Sequence, residues 1–253
     1  MSTNLGREVT GTARGERRDR AELRAIAEGA EEMFGALPPP PPEDAIEVLE
    51  WAVEEFGDRI AVACSMAADT VLVDLVARAR PGVDVLFLDT GYHFADTLGT
   101  RAELAHALDV TVVDVTPRQT VAEQDAEHGK DLFASNPGLC CHLRKVEPLA
   151  EQLAGYDAWV TGVRREDNPL RARTPLVSWD RTHRLVKINP LAQWTFDQVL
   201  AHAEEHRVPV NPLLGAGYPS IGCEPCTRRV APGDDPRSGR WAGLTKTECG
   251  IHT

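Results

Sequence analysis

The residues of this 253-residue chain most able to do chemistry are its six cysteines. Four fall into two close pairs and two stand alone: Cys140 with Cys141, Cys223 with Cys226, then Cys64 and Cys249. Adjacent cysteines do not readily form a disulfide with each other, because the ring needs a distorted peptide, so Cys140 and Cys141 are expected to share a partner elsewhere. Two pairs together supply four sulfur ligands, enough for a 4Fe-4S cluster or a zinc ion.

The spacing of the pairs favours the cluster over zinc. Zinc sites normally separate the cysteines of each arm by two to four residues, and a contiguous pair departs from that pattern. Lys145, in the next turn of the predicted helix, would bring an ammonium group near the negative charge of a cluster. Four buried structural thiols are the remaining alternative, and the adjacent pair together with the C-x-x-C pair argues against it.

Cys249, four residues from the carboxyl end of the sequence, is the candidate nucleophile. A thiolate is a good nucleophile when nearby cations lower its pKa. Its segment carries four cationic or titratable side chains, Arg237, Arg240, Lys246 and His252. Terminal residues are poorly ordered unless tied down, so we expect this tail to be delivered to a site. Cys64 ends a strand of the buried type and is interpreted as a small core residue.

The formal net charge of −12 disfavours nucleic acid and anionic membranes as partners. Two basic regions, here called the cationic islands, interrupt this acidic chain. Residues 164–187 contain seven basic and three acidic residues, and residues 227–246 contain five basic and two acidic residues. These islands suggest that the ligand is a small, localised anion. Arg164 follows a predicted strand, where a guanidinium fork can bind phosphate or sulfate, and Arg237 and Arg240 could converge on one anion. Solvated surface arginines are the alternative.

Strand and helix patterns alternate from residue 59 to residue 206. The strands are predicted at 59–64, 84–90, 110–115, 158–164 and 184–191, and the helices at 69–80, 94–108, 142–154 and 195–206. This alternation predicts an α/β fold with a parallel sheet and helices on both faces. Ligands bind such sheets beyond the carboxyl ends of the strands.

Three regions are expected along the chain. Residues 1–44 form an N-terminal extension, disordered to about residue 19, then helical, then a proline run predicted to be a stiff polyproline spacer. Residues 45–207 form the nucleotide-binding α/β domain, and residues 208–253 form an irregular cysteine-rich segment, cluster-binding and catalytic, docked on the same domain. The first helix of the domain is expected to bury one apolar face, made of Ile46, Leu49, Val53 and Phe56.

Two loops at the carboxyl edge of the predicted sheet are candidates for nucleotide contacts. CSMAADT offers the Ser65 hydroxyl and a helix N-terminus that favours negative charge, although an ordinary turn with Asp69 as the helix cap is the alternative. LDTGYH turns sharply at Gly91 and suits a base or a ribose, although a polar turn capped by Asp89 is the alternative.

The expected compartment is the cytoplasm. The sequence has no stretch near eighteen consecutive apolar residues, and its first residues lack the apolar run of a signal peptide. A reducing compartment also fits six cysteines that are not spaced as a disulfide framework.

Together these motifs resemble the assimilatory sulfonucleotide reductases, specifically the adenylylsulfate (APS) reductases that carry an iron-sulfur cluster. The resemblance runs from about residue 45 to the end. Its motifs are CC at 140 and 141, C-x-x-C at 223–226, LDTG at 88–91, TGVRRED at 161–167, R-x-x-R at 237–240 and ECGIH at 248–252. It implies an adenine nucleotide alpha hydrolase-like fold.

The resemblance also implies roles for individual residues. The 4Fe-4S cluster would be held by Cys140, Cys141, Cys223 and Cys226, and Cys249 would be the nucleophile. The sulfonucleotide would be bound by Ser65, Leu88, Lys145, Gly162, Arg171, Arg237 and Arg240, to which we add Arg164 and His252. The chain departs from the family at Ala63 and Met66, which stand where the family often has serine and glycine, so this loop offers fewer side-chain donors.

The implied activity is thioredoxin-dependent reduction of APS to sulfite and AMP, through an S-sulfocysteine on Cys249, in assimilatory sulfate reduction. The nearest alternative is a reductase of the 3′-phosphorylated nucleotide PAPS, whose family members usually lack the two cysteine pairs. Another is an ATP pyrophosphatase or sulfate-activating subunit of the same fold. A non-enzymatic iron-sulfur or zinc redox sensor is the third.

Overall fold

The structure is a computed structural model that describes residues 17–36, 39–243, 246 and 248–251. Its centre is a six-stranded sheet with the order β3-β2-β1-β4-β6-β5. The strands are β1 (Ile60–Cys64), β2 (Val83–Leu88), β3 (Val110–Val115), β4 (Ala158–Thr161), β5 (Val177–Asp180) and β6 (Leu185–Ile188). All neighbouring pairs are parallel except β5 with β6, which is antiparallel. This sheet confirms the predicted α/β class.

The helices connect the strands and cover both faces of the sheet. In chain order they are α1 (Arg20–Gly35), α2 (Glu43–Phe56), α3 (Thr70–Ala79), α4 (Ala95–Ala107), α5 (Val121–His128), α6 (Leu132–Ser135), α7 (Pro137–Cys141), α8 (Glu147–Leu153) and α9 (Phe196–His206). A π-helical turn, His142–Val146, joins α7 to α8. No described helix is long and apolar enough to span a membrane.

Strand β5 was not predicted, and its antiparallel pairing with β6 makes the observed sheet mostly parallel. β5 has only four residues, and it pairs on one side alone, with β6. The sequence of β5, VSWD, has a smaller share of apolar residues than the other five strands, and a short edge strand of mixed burial gives a weak signal. The predicted strands at 84–90 and 158–164 also end early, at Leu88 and Thr161, because the residues that follow leave the sheet to form loops.

Helix α1 is part of the core. Its buried residues are Leu23, Ala27, Ala30 and Phe34, and the helix packs on β5 and β6. In α2 the predicted face is partly wrong: Ile46 is 45% exposed, and the buried apolar residues are Ala45, Val48, Leu49, Ala52 and Phe56. The proline run also departs from a uniform polyproline helix, because Pro42 has helical angles and precedes α2 directly.

Each face of the sheet has its own hydrophobic cluster. The larger cluster packs α1, α2, α3 and α9 against one face. The smaller one contains Leu149, Leu153, Tyr156 and the fully buried Trp159, and it reaches the carboxyl edge of the sheet through Leu88 and Ile251. The packed sheet therefore supports the loops at its carboxyl edge.

Candidate functional site

A cleft of about 450 Å³ opens at the carboxyl edge of β1, β2 and β4. Its walls come mainly from the loops that follow these three strands and from the segment after residue 218, and Lys145, Leu191, Phe196 and Val199 complete them. This is the edge at which parallel sheets bind ligands, and the volume lies in the range of small-molecule sites, roughly 300 to 1,000 Å³. The cleft is therefore the candidate active site.

The cleft collects nearly all the substrate-binding residues expected from the sequence. These are Ser65, Leu88, Lys145, Gly162, Arg164, Arg171, Arg237 and Arg240, and Cys249 lines the same cleft. His252, the remaining expectation, lies outside the described residues. Residues far apart in the chain thus meet within one volume.

The tail that carries Cys249 is docked in the cleft. Ile251, like Ala63, Leu88 and Val113, is partly buried and packs against the smaller hydrophobic cluster. A hydrogen bond with the Cys141 thiol, the Lys145 ammonium and the Arg240 guanidinium lower the pKa of the Cys249 thiol, against the opposing effect of burial. A depressed thiol pKa is what a nucleophilic cysteine requires. The predicted core residue Cys64 is confirmed as buried.

Lys145 lies on the π-helical turn that follows Cys140 and Cys141. The predicted helix at 142–154 therefore exists, but with an extra residue in one turn, a distortion often found at functional sites. Burial by itself lowers the pKa of Lys145, but the neighbouring sulfurs of Cys223 and Cys249 outweigh burial and raise it. Lys145 consequently keeps its positive charge within the cleft.

Arg240 is held by the backbone of the C-terminal segment. Its Nη1 donates to the Ile221 carbonyl at 3.0 Å, and the guanidinium stacks 4.6 Å from the Trp241 ring centre. Gly222 makes room for it, because a Cβ there would lie 2.1 Å from Arg240 Nη2. Within the described part of the chain, Arg240 Nε is buried without an acceptor. A buried, unsatisfied donor in a cleft favours an anionic ligand.

The four cysteines of the two pairs line one small cavity next to the cleft, together with Lys145 and Trp241. Burial and the adjacent sulfurs of Cys223 and Cys226 raise the pKa of Cys140 to about 11. Thiols this close ionise together only when a cation offsets their charge. No three described side chains converge closely enough for one metal ion. A 4Fe-4S cluster takes one thiolate per iron, so four thiols that line one cavity have the donor chemistry that such a cluster needs.

The LDTGYH loop, which follows β2, connects the cleft to the C-x-x-C segment. Thr90 Oγ1 is 3.3 Å from Cys223 Sγ, and the Glu224 amide donates to the Tyr92 carbonyl at 2.7 Å. The buried guanidinium of Arg144 donates to the Thr90 carbonyl beneath Gly91. Thr90 and Arg144 were not identified from the sequence as residues of the site. The sequence indicated Arg144 only through its position next to Lys145.

Of the two turn alternatives, the polar turn capped by Asp89 is present, and the helix cap by Asp69 is present in position only. Asp89 Oδ1 accepts from the Gly91 amide at 3.0 Å, as in a polar turn. Asp69 stands at the N-cap position of α3 but makes no capping bond to the helix. It accepts instead from the amides of Ser65 at 2.6 Å and Ala67 at 2.9 Å. These amides are therefore already bonded, and the exposed Ser65 side chain is the part of the loop that is open to a ligand.

Two neighbours of Ser65 explain the unusual sequence of its loop. Met66, at the position where the family often has glycine, keeps a left-handed φ of 57°, and its side chain is fully buried. Gly162 after β4 lets the loop approach closely, because a Cβ there would lie 2.8 Å from Asp69 Cβ. The burial of Met66 compensates for its backbone strain, and Gly162 has a packing role in addition to lining the cleft.

Carboxylates neutralise the two arginines of the first cationic island that line the cleft. Arg164 pairs with Glu166 at 3.1 Å and with Asp167 at 2.7 Å. Arg171 pairs with Asp167 at 2.8 Å and binds Glu248 with two nitrogens, Nε at 3.1 Å and Nη2 at 3.0 Å. Glu248 was also missed from sequence, although it stands directly before Cys249. Among the described residues, neither Lys145 nor Arg240 makes an ion pair with a carboxylate, so these two cations are free to face an anion.

Comparisons with known proteins agree with this geometry. The family model described as the phosphoadenosine phosphosulfate reductase domain matches residues 59–229. A Mycolicibacterium smegmatis protein named adenosine 5′-phosphosulfate reductase is 56% identical over 232 residues, 91% of this chain and 95% of its own length. A Streptomyces coelicolor protein of the same name is 54% identical over 242 residues, 95% of this chain and 99% of its own.

A solved structure gives the same result for the fold. The phosphoadenylyl-sulfate (PAPS) reductase from Candida auris, in a phosphate complex, superposes with a TM-score of 0.67 at 28% identity and covers 85% of this chain and 100% of its own. The expected adenine nucleotide alpha hydrolase-like fold is confirmed. Because the family model matches more than half of the sequence and the relatives match almost all of it, the chain belongs to the phosphoadenosine phosphosulfate reductase family.

Proposed function

We propose that this protein is an APS reductase that reduces adenylylsulfate to sulfite and AMP through an S-sulfocysteine on Cys249, with a thioredoxin-type dithiol as reductant. The observation that carries the proposal is the position of the Cys249 thiol, in a nucleotide-sized cleft, next to the unpaired cations Lys145 and Arg240 among the described residues. The relatives named APS reductases, 53 to 56% identical, support the choice of substrate.

The first step transfers the sulfonate group. The Cys249 thiolate attacks the sulfur of APS, a bond forms between Cys249 Sγ and that sulfur, and the bond from sulfur to the bridging oxygen breaks. AMP leaves with the electron pair on this oxygen. Lys145 and Arg240 lie where they would offset the negative charge of the transferring group.

The second step releases sulfite. One thiolate of the dithiol attacks Cys249 Sγ, sulfite leaves with the electron pair of the sulfur-sulfur bond, and a mixed disulfide remains. The second thiol resolves it, which returns the Cys249 thiol and leaves the reductant as a disulfide. The two electrons that reduce the sulfonate sulfur therefore come from the dithiol.

Cys140, Cys141, Cys223 and Cys226 would hold the 4Fe-4S cluster. When bound, the cluster would supply a fixed charge beside the substrate cleft and no electrons to the reaction. Lys145 is the residue through which this charge would act, because it lines both the cysteine cavity and the cleft. Iron and acid-labile sulfide should be lost from Cys223→Ser and retained in Cys64→Ala, which alters the buried thiol outside the cavity.

We place the reaction in the cytoplasm, where a reducing environment would keep the six cysteines free, as they are in the structure. PAPS is the competing substrate, because the family description and the Candida auris structure both name it. Values of kcat/KM for APS and PAPS, measured on the same preparation, separate the two. We expect a strong preference for APS, and a strong preference for PAPS would overturn the assignment.

The decisive experiment is to mix the protein with APS, omit the reductant and weigh the intact chain. We expect a single sulfonate adduct that maps to Cys249, is absent from Cys249→Ser and is present in Cys64→Ala. Addition of a thioredoxin-type dithiol should remove it and release one sulfite per chain. An unmodified chain, or an adduct that persists in Cys249→Ser, would refute the mechanism.

A further inference from the structure

A second cavity, here called the α1 cavity, lies between Glu31 and Phe34 of α1 and the loop that joins β4 to β5. Its volume is about 240 Å³, roughly half that of the cleft, and none of its described lining residues lines the cleft. This volume is below the usual range for drug-sized ligands, so a ligand here would have few heavy atoms. The α1 cavity is therefore a separate candidate site for a small molecule.

The loop between β4 and β5 supplies arginines to both cavities. Arg164 and Arg171 line the cleft, whereas Arg165 and Arg173 line the α1 cavity. Arg165 Nε donates to the Thr174 carbonyl at 2.9 Å, and its two terminal nitrogens have no acceptor among the described residues. Arg173 is exposed and forms no ion pair within the described part of the chain. Two guanidinium groups with free donors therefore border this cavity.

Gln193 adds a further donor to the same cavity. Its Nε2 is buried and has no hydrogen-bond partner among the described residues. Such donors are uncommon in folded proteins, because burial removes the water that would otherwise bond to them. Burial raises the pKa of the nearby Asp44, and Arg165 counters this in part without an ion pair to it. The amide and the two guanidinium groups thus form a donor-rich wall that suits a carboxylate or another oxyanion.

Glu31 gives the α1 cavity a different kind of group. It is the only carboxylate among the described residues that line this cavity, and it is exposed and forms no ion pair with them. Glu31 can therefore accept from an ammonium group, whereas it would repel a simple anion. The buried side chains of Phe34, Leu176 and Val177 supply apolar surface. The cavity combines a donor wall, one acidic acceptor and an apolar wall.

We propose that the α1 cavity binds a small α-amino acid with an uncharged side chain. The carboxylate of the amino acid binds Arg165, Arg173 and Gln193, and its ammonium group binds Glu31. Its side chain packs on the apolar wall. A zwitterion matches the donors, the acceptor and the apolar surface together, whereas sulfate or phosphate would use the donors alone. This site lies outside the cleft and does not depend on the proposed reaction, although its ligand would contact the same loop that carries Arg171.

Isothermal titration calorimetry on the full-length protein tests the site. The probes are L-alanine, L-serine, L-cysteine, L-valine and L-methionine, with sodium sulfate as the inorganic comparison. Each titration is made with and without saturating AMP, the product of the proposed reaction, which would occupy the cleft and leave the α1 cavity open. We expect at least one of these amino acids to bind with a Kd of about 1 mM or tighter, and to bind equally well in the presence of AMP.

Two variants test the contacts. Arg173→Gln removes a cation from the donor wall, and Glu31→Gln removes the acceptor. Both side chains are exposed, so both variants should fold and melt like the parent. We expect each change to weaken amino-acid binding by roughly 5- to 20-fold, the lower part of the range for hydrogen bonds to charged groups.

Each variant has a matched control outside the cavity. Arg181→Gln changes an exposed arginine of the turn between β5 and β6. Glu28→Gln changes an exposed glutamate of α1 that pairs with Arg24. Both controls should bind the amino acid as tightly as the parent.

Four results would overturn the proposal. The first is that no amino acid of the set binds with a Kd below about 10 mM. The second is that Arg173→Gln and Glu31→Gln both bind as tightly as the parent. The third is that AMP abolishes amino-acid binding, which would place the ligand in the cleft. The fourth is that sulfate, and no amino acid, binds in the presence of AMP and binds more tightly to Glu31→Gln, which would assign the cavity to an inorganic anion.

Discussion

Gly222 is the position at which a single added carbon should reveal what Arg240 does. An alanine Cβ at residue 222 would lie 2.1 Å from Arg240 Nη2, 2.5 Å from Cζ and 3.0 Å from Nη1. These contacts are shorter than any tolerated carbon contact, so the guanidinium has to move. The backbone at Gly222 is not in the left-handed region, and the three atoms nearest to the added carbon all belong to Arg240, so the substitution acts first on that side chain.

The size of the effect follows from the interaction that is lost. Hydrogen bonds to charged groups contribute about 1.5 to 3 kcal/mol, which corresponds to roughly 10- to 150-fold in rate. Displacement of a catalytic group by about 1 Å costs a similar factor, up to about 100-fold. We therefore expect Gly222→Ala to lower kcat/KM for APS by 10- to 150-fold, with sulfite release as the assay.

The control for this prediction lies in the same segment. Gly215→Ala adds the same carbon where no atom lies within 4 Å, so its activity should equal that of the parent. Arg240→Ala should lose at least as much activity as Gly222→Ala, and the combined variant should be no worse than Arg240→Ala. Parental activity in Gly222→Ala, or a combined loss equal to the product of the single losses, would refute the reasoning.

Three further predictions concern stability. Gly91→Ala should lower the free energy of unfolding by about 1 to 2 kcal/mol in thermal melts, because φ is +72° and the new Cβ would lie 3.1 Å from Arg144 Nη2. The control Gly99→Ala, where no atom lies within 4 Å of the new Cβ, should not lower it. Met66→Gly should destabilise the protein in urea titrations, although Met66 has a φ of 57°. Loss of the buried Met side chain costs about 2 to 5 kcal/mol of stability, whereas relief of the backbone strain returns only about 1 to 2 kcal/mol. A variant as stable as the parent, or more stable, would contradict this. Burial would raise the pKa of Asp74, but hydrogen bonds with His202 and Arg78 outweigh burial and lower this pKa. The ionised carboxylate therefore stabilises the fold at neutral pH, and this stabilisation is lost as the pH falls through the depressed pKa. Asp74→Asn should therefore be less stable than the parent at pH 7, and the gap should narrow toward acid, while the exposed Glu28→Gln should follow the parent at every pH.

The regular part of the fold was predictable because its signals are local. β1 is a continuous apolar run, and α9 begins at a capping box, Thr195 with Gln198. The capping box at Thr120 and Glu123 would also have identified α5, which was not predicted. Strand β5 gives no such signal, since its pairing depends on β6 and on the helix that covers it.

The residues that line the site were also predictable, because they belong to recognisable sequence motifs. The hydrogen bonds and ion pairs among them were not predictable. Nothing in the order of residues indicates that Arg171 reaches Glu248, or that Asp69 takes the amides of Ser65 and Ala67. Such contacts depend on how loops from distant parts of the chain meet. Sequence reasoning therefore tends to assign every cationic residue of a site to the ligand, although some of them bind protein carboxylates.

The bond between Thr90 and Cys223 joins residues 133 positions apart, and the one between Asn168 and Glu248 spans 80 positions. Contacts between such distant positions form slowly, because a long loop has to close before they stabilise anything. The sheet around Trp159 also joins distant positions, such as Ala61 with Trp159, but apolar clusters on both of its faces stabilise it. During refolding, the tryptophan fluorescence, to which the buried Trp159 and Trp194 contribute, should recover before the capacity to form the sulfonate adduct, so the chain passes through a stage that is folded and still inert.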